Sequence, residues 1–304
     1  TIVYNGEIYN FINLKKKLVN LGVSFKSSGD TEVLLKGYRS LGVEFFNHLE
    51  GMYSFVIVDR KKNIAIAVRD PFGIKPLYMM RVGNFTAFAS EMRVFGRFRK
   101  AEPDPKAISE FLTFKWAAGE VSNELGTVRV ESGSIYKINL SNGELKKSKL
   151  CDTLDFFDQK KSSSINETHE AVINSIEDHL LSDVGYSLQL SGGVDSSLIT
   201  AIASQKSNSK IFAYGVSFNE LEYDELNYRE MVRKQYPIEL IDLKIDSKSY
   251  ADALPATIDS IEGPSSHGGC VALWLLCKEI GKKHKVVLTG EGADEFFGGY
   301  ERYA

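Results

Sequence analysis

Residues 190–197 read LSGGVDSS, between the apolar run YSLQL (186–190) and a segment whose pattern predicts a helix over 195–205. Two glycines at a strand-to-helix junction let the backbone turn with nothing projecting from it, so successive N–H groups can converge on an anion. The helix that follows adds the partial positive charge of its N-terminus. Ser191, Ser196 and Ser197 add hydroxyl donors. The lysine of a GxxxxGK[ST] loop is missing, which separates this turn from the common P-loop. A glycine pair alone would fit a plain Ser/Asp-capped helix, but the full string is more specific than that.

Outward from this turn the pattern alternates. Helices are predicted over 167–182, 195–205, 224–235, 247–261 and 270–283, and strands over 186–190, 211–218, 238–243 and 285–289. Such alternation implies a parallel sheet with right-handed crossovers, and ligands on such sheets bind at the carboxyl ends of the strands. A second Gly/Asp-rich turn, TGEGADEFFGGY (289–300), follows the last of these strands. Its carboxylates Glu291, Asp294 and Glu295 repel one another unless a cation or an acid/base task uses them.

The first ~140 residues have a different rhythm. Phe11, Ile12, Leu14, Leu18 and Leu21 suggest one helical face, and Asp30-Thr31 could cap a second helix through Leu41. Alternating runs follow at 53–59, 63–68, 76–80, 85–90 and 134–140, several separated by turn residues, as antiparallel hairpins require. Polar 151–165, with its serine run, is the expected linker between domains at 1–150 and 166–304.

Bulk properties narrow the partners. The chain has 304 residues, 43% hydrophobic and 25% charged, with a formal net charge of −3. No block of like charges supports nucleic-acid or polybasic membrane binding, and no apolar run is long enough to span a bilayer. Cys151, Cys270 and Cys277 show no paired spacing, which fits a reducing, cytoplasmic setting. The opening TIVYNGEIYN and the closing ERYA suggest a piece cut at both ends.

The string SGGVDSS resembles the SGG-x-D-S signature of PP-loop ATP pyrophosphatases, shared by asparagine, GMP, NAD and argininosuccinate synthetases. The resemblance implies that the loop cradles the β- and γ-phosphates of ATP and that Asp195 ligates Mg²⁺. It implies an ATP site of Leu190, Ser191, Gly192, Gly193, Asp195, Ser196, Val216, Thr289 and Gly290. TGEGADEFFGGY resembles the S/T-G-E-G-x-D-E-x-F-G-G-Y block of glutamine-dependent asparagine synthetases. By that likeness Asp294 joins Asp195 on the metal, and Glu291 is the base assisting ammonia attack on an acyl-adenylate. Glu295 reads as a solvated or ion-paired surface carboxylate. SFNELEYDELNYREMV (217–232) extends the similarity.

The first half is similar to the glutaminase domain of class II amidotransferases through YNGEIYN (4–10), SSGDTEVLL (27–35), GMYSFVIVD (51–59), RDPFGIKPLY (69–78) and SEM (90–92). This implies an α+β N-terminal-nucleophile sandwich (αββα), joined to the α/β parallel-sheet synthetase domain. Asn5 and Gly6 would be oxyanion donors in amide hydrolysis through a thioester. Glu7 and Asp30 would hold the polar end of glutamine, Asp30 pairing with its α-ammonium. Two local alternatives stand beside these roles: NGE alone fits a type I′ hairpin turn, and Asp30 fits an N-cap. RDPFGIKPLY reads as structural, a turn followed by a strand. The family's nucleophile, an N-terminal cysteine followed by Gly-Ile, is expected upstream of Thr1, since the three cysteines present lie in the linker or the other domain.

The activity implied is ATP-dependent amide formation with glutamine as ammonia donor, releasing AMP and pyrophosphate. The acceptor is a carboxylate, aspartate or a sugar acid, and oligomeric state stays open, a homodimer included. A sugar-acid amidotransferase of surface-polysaccharide synthesis and a β-lactam-forming synthetase share this fold. A nucleotide-binding protein with an inactive glutaminase is the non-enzymatic alternative. Counting back from Thr289 puts Ser265, Ser266 and His267 at the acceptor position, with histidine where the family has a carboxylate-gripping arginine. A histidine does not hold a carboxylate bidentately, so an acceptor other than free aspartate is expected, unless another arginine such as Arg302 substitutes.

Overall fold

The computed structural model describes residues 1–151, 164–207, 210–218 and 225–300. Most of the expected linker and Arg302 lie outside the described residues. The described residues form two compact units, the first holding those up to 151 together with Glu262–Ser266, the second those from 164 to 261 and from 267 to 300.

In the first unit the order is β1 (Ile2–Ile8), α1 (Phe11–Asn20), α2 (Asp30–Leu41), a 3₁₀ turn (Gly42–His48), β2 (Gly51–Asp59), β3 (Ile64–Arg69), β4 (Tyr78–Val82) and β5 (Phe85–Ala89). A second 3₁₀ turn (Met92–Arg97), α3 (Pro105–Phe114), β6 (Thr127–Arg129), β7 (Ser134–Asn139) and β8 (Leu145–Lys149) follow. The strands make a five-stranded sheet, β1-β2-β3-β7-β8, and a three-stranded sheet, β5-β4-β6. Every pairing in them is antiparallel.

Strand alternation sorts the large sheet's side chains into two cores. Leu14 and Leu18 of α1, with Val33, Leu34 and Tyr38 of α2, pack on Ile8, Tyr53, Phe55, Ile57, Ile66 and Val68. On the opposite face Ala65, Ala67, Tyr136 and Ile138 meet Leu77 and Met79 of the small sheet's side. Met92 and Phe95 of the second 3₁₀ turn cover Met80 on the small sheet's far face. The layers are therefore helices, sheet, sheet and a short helical turn.

Three local expectations need correction. NGE is not a hairpin turn: β1 runs straight through it, with Gly6 opposite Tyr53 of β2. The reason is the partner strand, since Gly6 (φ +153°) and Gly51 (φ +155°) are the places where β1 and β2 approach too closely for any Cβ. Ile12 and Leu21 do not belong to the buried face of α1 and are 46% and 62% exposed. Asp30 is not a cap: Gly29 takes the N-cap position, and the Asp30 carboxylate turns to β1 instead.

In the second unit α4 (Ile165–His179) leads to β9 (Ser187–Gln189), α5 (Val194–Lys206), β10 (Ile211–Phe218), α6 (Leu226–Gln235) and β11 (Ile238–Ile245). The remaining elements are α7 (Ser247–Ile261), α8 (Gly269–Ile280), β12 (Val287–Leu288) and α9 (Ala293–Phe297). The reciprocal capping box of Ser164 and Glu167 starts α4 at Ile165, inside the expected linker. The strands form a parallel sheet in the order β11-β10-β9-β12. Ile199 and Ala203 of α5 and Val232 of α6 pack with Leu188, Ile211 and Ala213, while Leu276 and Ile280 of α8 pack with Tyr214. The chain leaves β9 in one direction through β10 and β11, then returns to β9's other side as β12. The point where strand order reverses thus lies between β9 and β12. Both glycine-rich turns leave the sheet there.

Candidate active sites

The turn after β9 is built by its own serines. Gly192 takes φ +103°, a conformation that costs other residues energy. Gly193 is the N-cap of α5 and brings no capping side chain. The work falls to hydroxyls: Ser191 Oγ lies 3.0 Å from Ser196 Oγ and accepts the Gly193 N–H at 3.2 Å. Ser196 and Ser197 donate to the Gly193 carbonyl at 3.2 and 2.7 Å. Asp195 falls in the first turn of α5, beside the helix's N–H groups.

The turn after β12 lies against it. A Cβ on Gly290 would stand 3.1 Å from the Asp195 Cβ and 3.2 Å from the Ser196 nitrogen, so glycine permits this approach. Thr289 Oγ1 accepts the Glu291 N–H at 3.4 Å. Gly292 (φ +97°) starts the short helix that carries Asp294 and Glu295. Together the turns enclose a pocket of about 170 Å³ lined by Gln189, Ser191, Gly193, Asp195, Ser196, Gly290, Glu291, Gly292, Asp294, Glu295 and Tyr300. That is below the usual size of a nucleotide pocket and suits a phosphate chain. Its charged side chains are all carboxylates. A cation between them would offset their repulsion of an anion held on the turn's N–H groups. Asp195 and Asp294 are hard oxygen donors of the kind that hold Mg²⁺ together with substrate phosphates. Among the described residues no cluster of three or more His, Cys, Asp or Glu could hold a metal by itself.

The structure brings Ser191, Gly193, Asp195, Ser196, Gly290, Glu291 and Asp294 to one pocket, with Gly192 in the turn itself. It does not bring every expected residue. The Leu190 side chain is fully buried in the core, so only its backbone can face a ligand. Val216 packs beside Tyr214, and neither Val216 nor Thr289 lines the pocket. Glu295 is exposed as expected, but it stands on the pocket and accepts the Tyr300 hydroxyl at 2.7 Å. The acceptor trio is not part of the pocket either. Ser265 and Ser266 belong to the first unit, where Glu262 holds their segment by accepting the N–H groups of Met92 (2.8 Å) and Arg93 (2.6 Å). His267 belongs to the second unit and precedes α8, its carbonyl accepting the Cys270 N–H. The geometry thus gives no support to excluding aspartate.

In the first unit the functional candidates ride on β1, at the sheet's edge. Tyr53 directs both its N–H and its carbonyl to Asp70, on the β3 side. Gly6, directly opposite Tyr53, therefore directs its own N–H to the open edge. The Ile8 N–H, two residues on, points the same way and donates to Asp30 Oδ2 at 3.1 Å. Asp30 Oδ2 also accepts the Tyr4 hydroxyl at 2.6 Å. Burial, with Asp30 as its acceptor, pushes the Tyr4 hydroxyl well above the usual tyrosine range, so it stays a donor. Asn5 faces the other side of the sheet, donates to Ser90 Oγ at 3.2 Å, and lines a cavity of about 740 Å³ whose walls come from both antiparallel sheets. Glu7 follows Gly6 on the same strand.

RDPFGIKPLY is structural, as its pattern suggests. Buried Asp70 accepts the N–H groups of Tyr53, Phe72, Ile74 and Lys75, and Arg69 donates to three carbonyls. The sites also use Tyr4, Ser90, Gln189 and Tyr300, which no motif role marks although they stand inside the stretches YNGEIYN, SEM, YSLQL and TGEGADEFFGGY.

The first unit is thus a layered arrangement of two antiparallel sheets, and the second a parallel sheet with two glycine-rich turns at its strand-order reversal. Residues 1–149 match the family model described as a glutamine amidotransferase domain, and residues 167–304 match that of asparagine synthase. The chain belongs to the family of glutamine-hydrolysing asparagine synthetases. It is 31% identical, over 99% of its length, to asparagine synthetase [glutamine-hydrolyzing] 1 of Bacillus subtilis, of which it covers 48%. It is 29% identical to a putative asparagine synthetase of Mycobacterium tuberculosis, with 99% of this chain and 48% of the relative covered. The chain thus spans about half the length of these relatives. Among solved structures, the Bacillus subtilis glutamine phosphoribosylpyrophosphate amidotransferase aligns with 80% of this chain and 60% of its own, at 15% identity and a TM-score of 0.38.

Proposed function

We propose that the protein is a carbon–nitrogen ligase that forms an amide from a carboxylate, using ATP and ammonia drawn from glutamine, as an asparagine synthetase does. The observation that carries this reading is the pocket at the strand-order reversal, where a glycine–serine turn and a set of carboxylates face one another. A carboxylate is a poor electrophile at neutral pH because oxide does not leave. Transfer of AMP from ATP to the carboxylate oxygen releases pyrophosphate and creates a leaving group that ammonia can displace. Gly192, Gly193 and the start of α5 hold the departing phosphates, and Ser191 and Ser196 orient them. Asp195 and Asp294 would hold Mg²⁺, which when bound neutralises charge on the phosphates. Glu291 takes the proton that ammonia sheds as it attacks. The Leu190 backbone, Val216, Thr289 and Gly290 are proposed to face the adenosine.

In the first unit, the layer order supports an N-terminal-nucleophile sandwich. Asn5 and the edge-facing Gly6 N–H stabilise the oxyanion formed on the glutamine amide. Glu7 and Asp30 hold its polar end. The nucleophile implied by the resemblance would precede Thr1. We take 1–150 and 166–304 as the two domains, with 151–165 joining them. The acceptor is proposed to be aspartate, with a sugar acid as the other carboxylate class. No helix among the described residues is long and apolar enough to cross a membrane, and a cytoplasmic enzyme, a homodimer among its possible forms, is consistent with this reading.

The test is the nucleotide product of the natural full-length protein with Mg²⁺, ATP, a carboxylate acceptor and either glutamine or ammonia. AMP and pyrophosphate are expected in equal amounts with amide. ADP and phosphate would contradict the proposal.

A further inference from the structure

One cationic side chain is buried beneath the nucleotide turn. Arg229 of α6 is 1% exposed. Its Nη1 donates to the Ser191 carbonyl at 3.1 Å, and its Nη2 donates to Ser217 Oγ at 2.7 Å. Nη2 also lies 2.9 Å from Asp242 Oδ1, an ion pair without hydrogen-bond alignment. One guanidinium thus touches the turn after β9, the end of β10 and the middle of β11. Gly215 makes room for it: a Cβ there would stand 2.5 Å from the Arg229 Cδ and 2.7 Å from its Nε. Burying a guanidinium is costly unless its partners are good, so a device of this kind calls for a reason beyond packing.

The reason lies in the Ser191–Gly192 peptide. All peptide bonds in the described chain are trans, so the Ser191 carbonyl and the Gly192 N–H point in opposite directions. Holding the carbonyl on Arg229 turns the Gly192 N–H away from the guanidinium. Without that anchor the Ser191–Gly192 unit can rotate, since glycine readily exchanges between backbone regions.

We propose that Arg229 is the positioning residue of the nucleotide turn. It sets the Gly192 N–H for the phosphate chain of ATP and couples that setting to β10 and β11 through Ser217 and Asp242. The proposal rests on the ATP reading of this site. Lysine cannot reproduce it, because a point ammonium does not reach the Ser191 carbonyl, Ser217 and Asp242 in one plane.

The test uses the natural full-length protein and ATP–pyrophosphate exchange in the presence of acceptor and Mg²⁺. Arg229→Met/Asp242→Asn removes both buried charges together, which avoids stranding one of them. It is expected to raise KM for Mg·ATP about tenfold or more while glutamine hydrolysis stays within about twofold. Arg229→Lys should recover only part of that loss, and Ser217→Ala should raise KM about threefold with an unchanged melting temperature. Wild-type KM in the double variant, whether or not its melting temperature falls, would give Arg229 a purely structural role and overturn the proposal. Full recovery by lysine would overturn it too. Absence of exchange in the unsubstituted protein would instead overturn the ATP reading, and this proposal with it.

Discussion

The first unit places its candidate groups on an edge strand, and the second places them on turns between strands and helices. On β1 the backbone stays extended, and the sheet alone decides that the Gly6 N–H faces outward while the Asn5 side chain faces the cavity. After β9 and β12 the backbone itself is bent around the site, with Gly192 and Gly292 in left-handed conformations. The cavities differ accordingly. The first is about 740 Å³, with mixed walls from both sheets, while the second is about 170 Å³ and edged by carboxylates. Of the residues proposed to hold glutamine only Asn5 lines the first cavity, so the size contrast bears on the second site alone. A phosphate chain needs many N–H groups and a counter-cation at close range.

If the two sites are chemically separate, single substitutions should split the overall reaction cleanly. The largest effect is expected from Asp195→Asn, which removes one of the two proposed metal-holding carboxylates. ATP–pyrophosphate exchange should fall about 10³-fold while glutamine hydrolysis stays near its original rate. Comparable loss of both activities would mean that Asp195 supports the fold and not the metal.

The reverse split is expected at Asp30. Asp30→Ala should lower kcat/KM for glutamine roughly 10–100-fold and leave ammonia-supported amide formation unchanged. Equal loss with free ammonia would make Asp30 a structural tie between β1 and α2. A gentler probe sharpens this: Tyr4→Phe removes only the hydroxyl that Asp30 Oδ2 accepts. It should raise KM for glutamine about fivefold with kcat nearly unchanged. A change in ammonia-supported turnover would place the hydroxyl's influence elsewhere.

The two regions also differed in how much the sequence revealed. The turn at 190–197 is local: its glycines, serines and Asp195 all stand between 191 and 197, so the string alone contains most of the geometry. The parallel sheet was legible for the same reason, because strands and helices alternate with clear periods. On β1 the decisive partners are distant in sequence. Ser90 reaches Asn5 across 85 residues, and Tyr4 reaches Asp30 across 26. A local reading of NGE therefore allowed a hairpin turn, and only the pairing of Gly6 with β2 excludes it. Ser265, Ser266 and His267 show a different limit. Counting along a loop fixes no position in space, and Glu262 ties the two serines' segment to Met92 and Arg93 instead. Arg229 stood within a stretch that already resembled the family, yet its role depends on Ser191, Ser217 and Asp242, which no spacing rule connects.

The central claim is that the turns after β9 and β12 capture the phosphates of ATP through a cation held by Asp195 and Asp294. The most direct measurement is the affinity of the natural full-length protein for ATP, by calorimetry, with Mg²⁺ and with the metal chelated. Carboxylates lining the pocket should make binding depend on the metal, with affinity falling at least about 100-fold when it is removed. Equal affinity in both conditions would contradict the account.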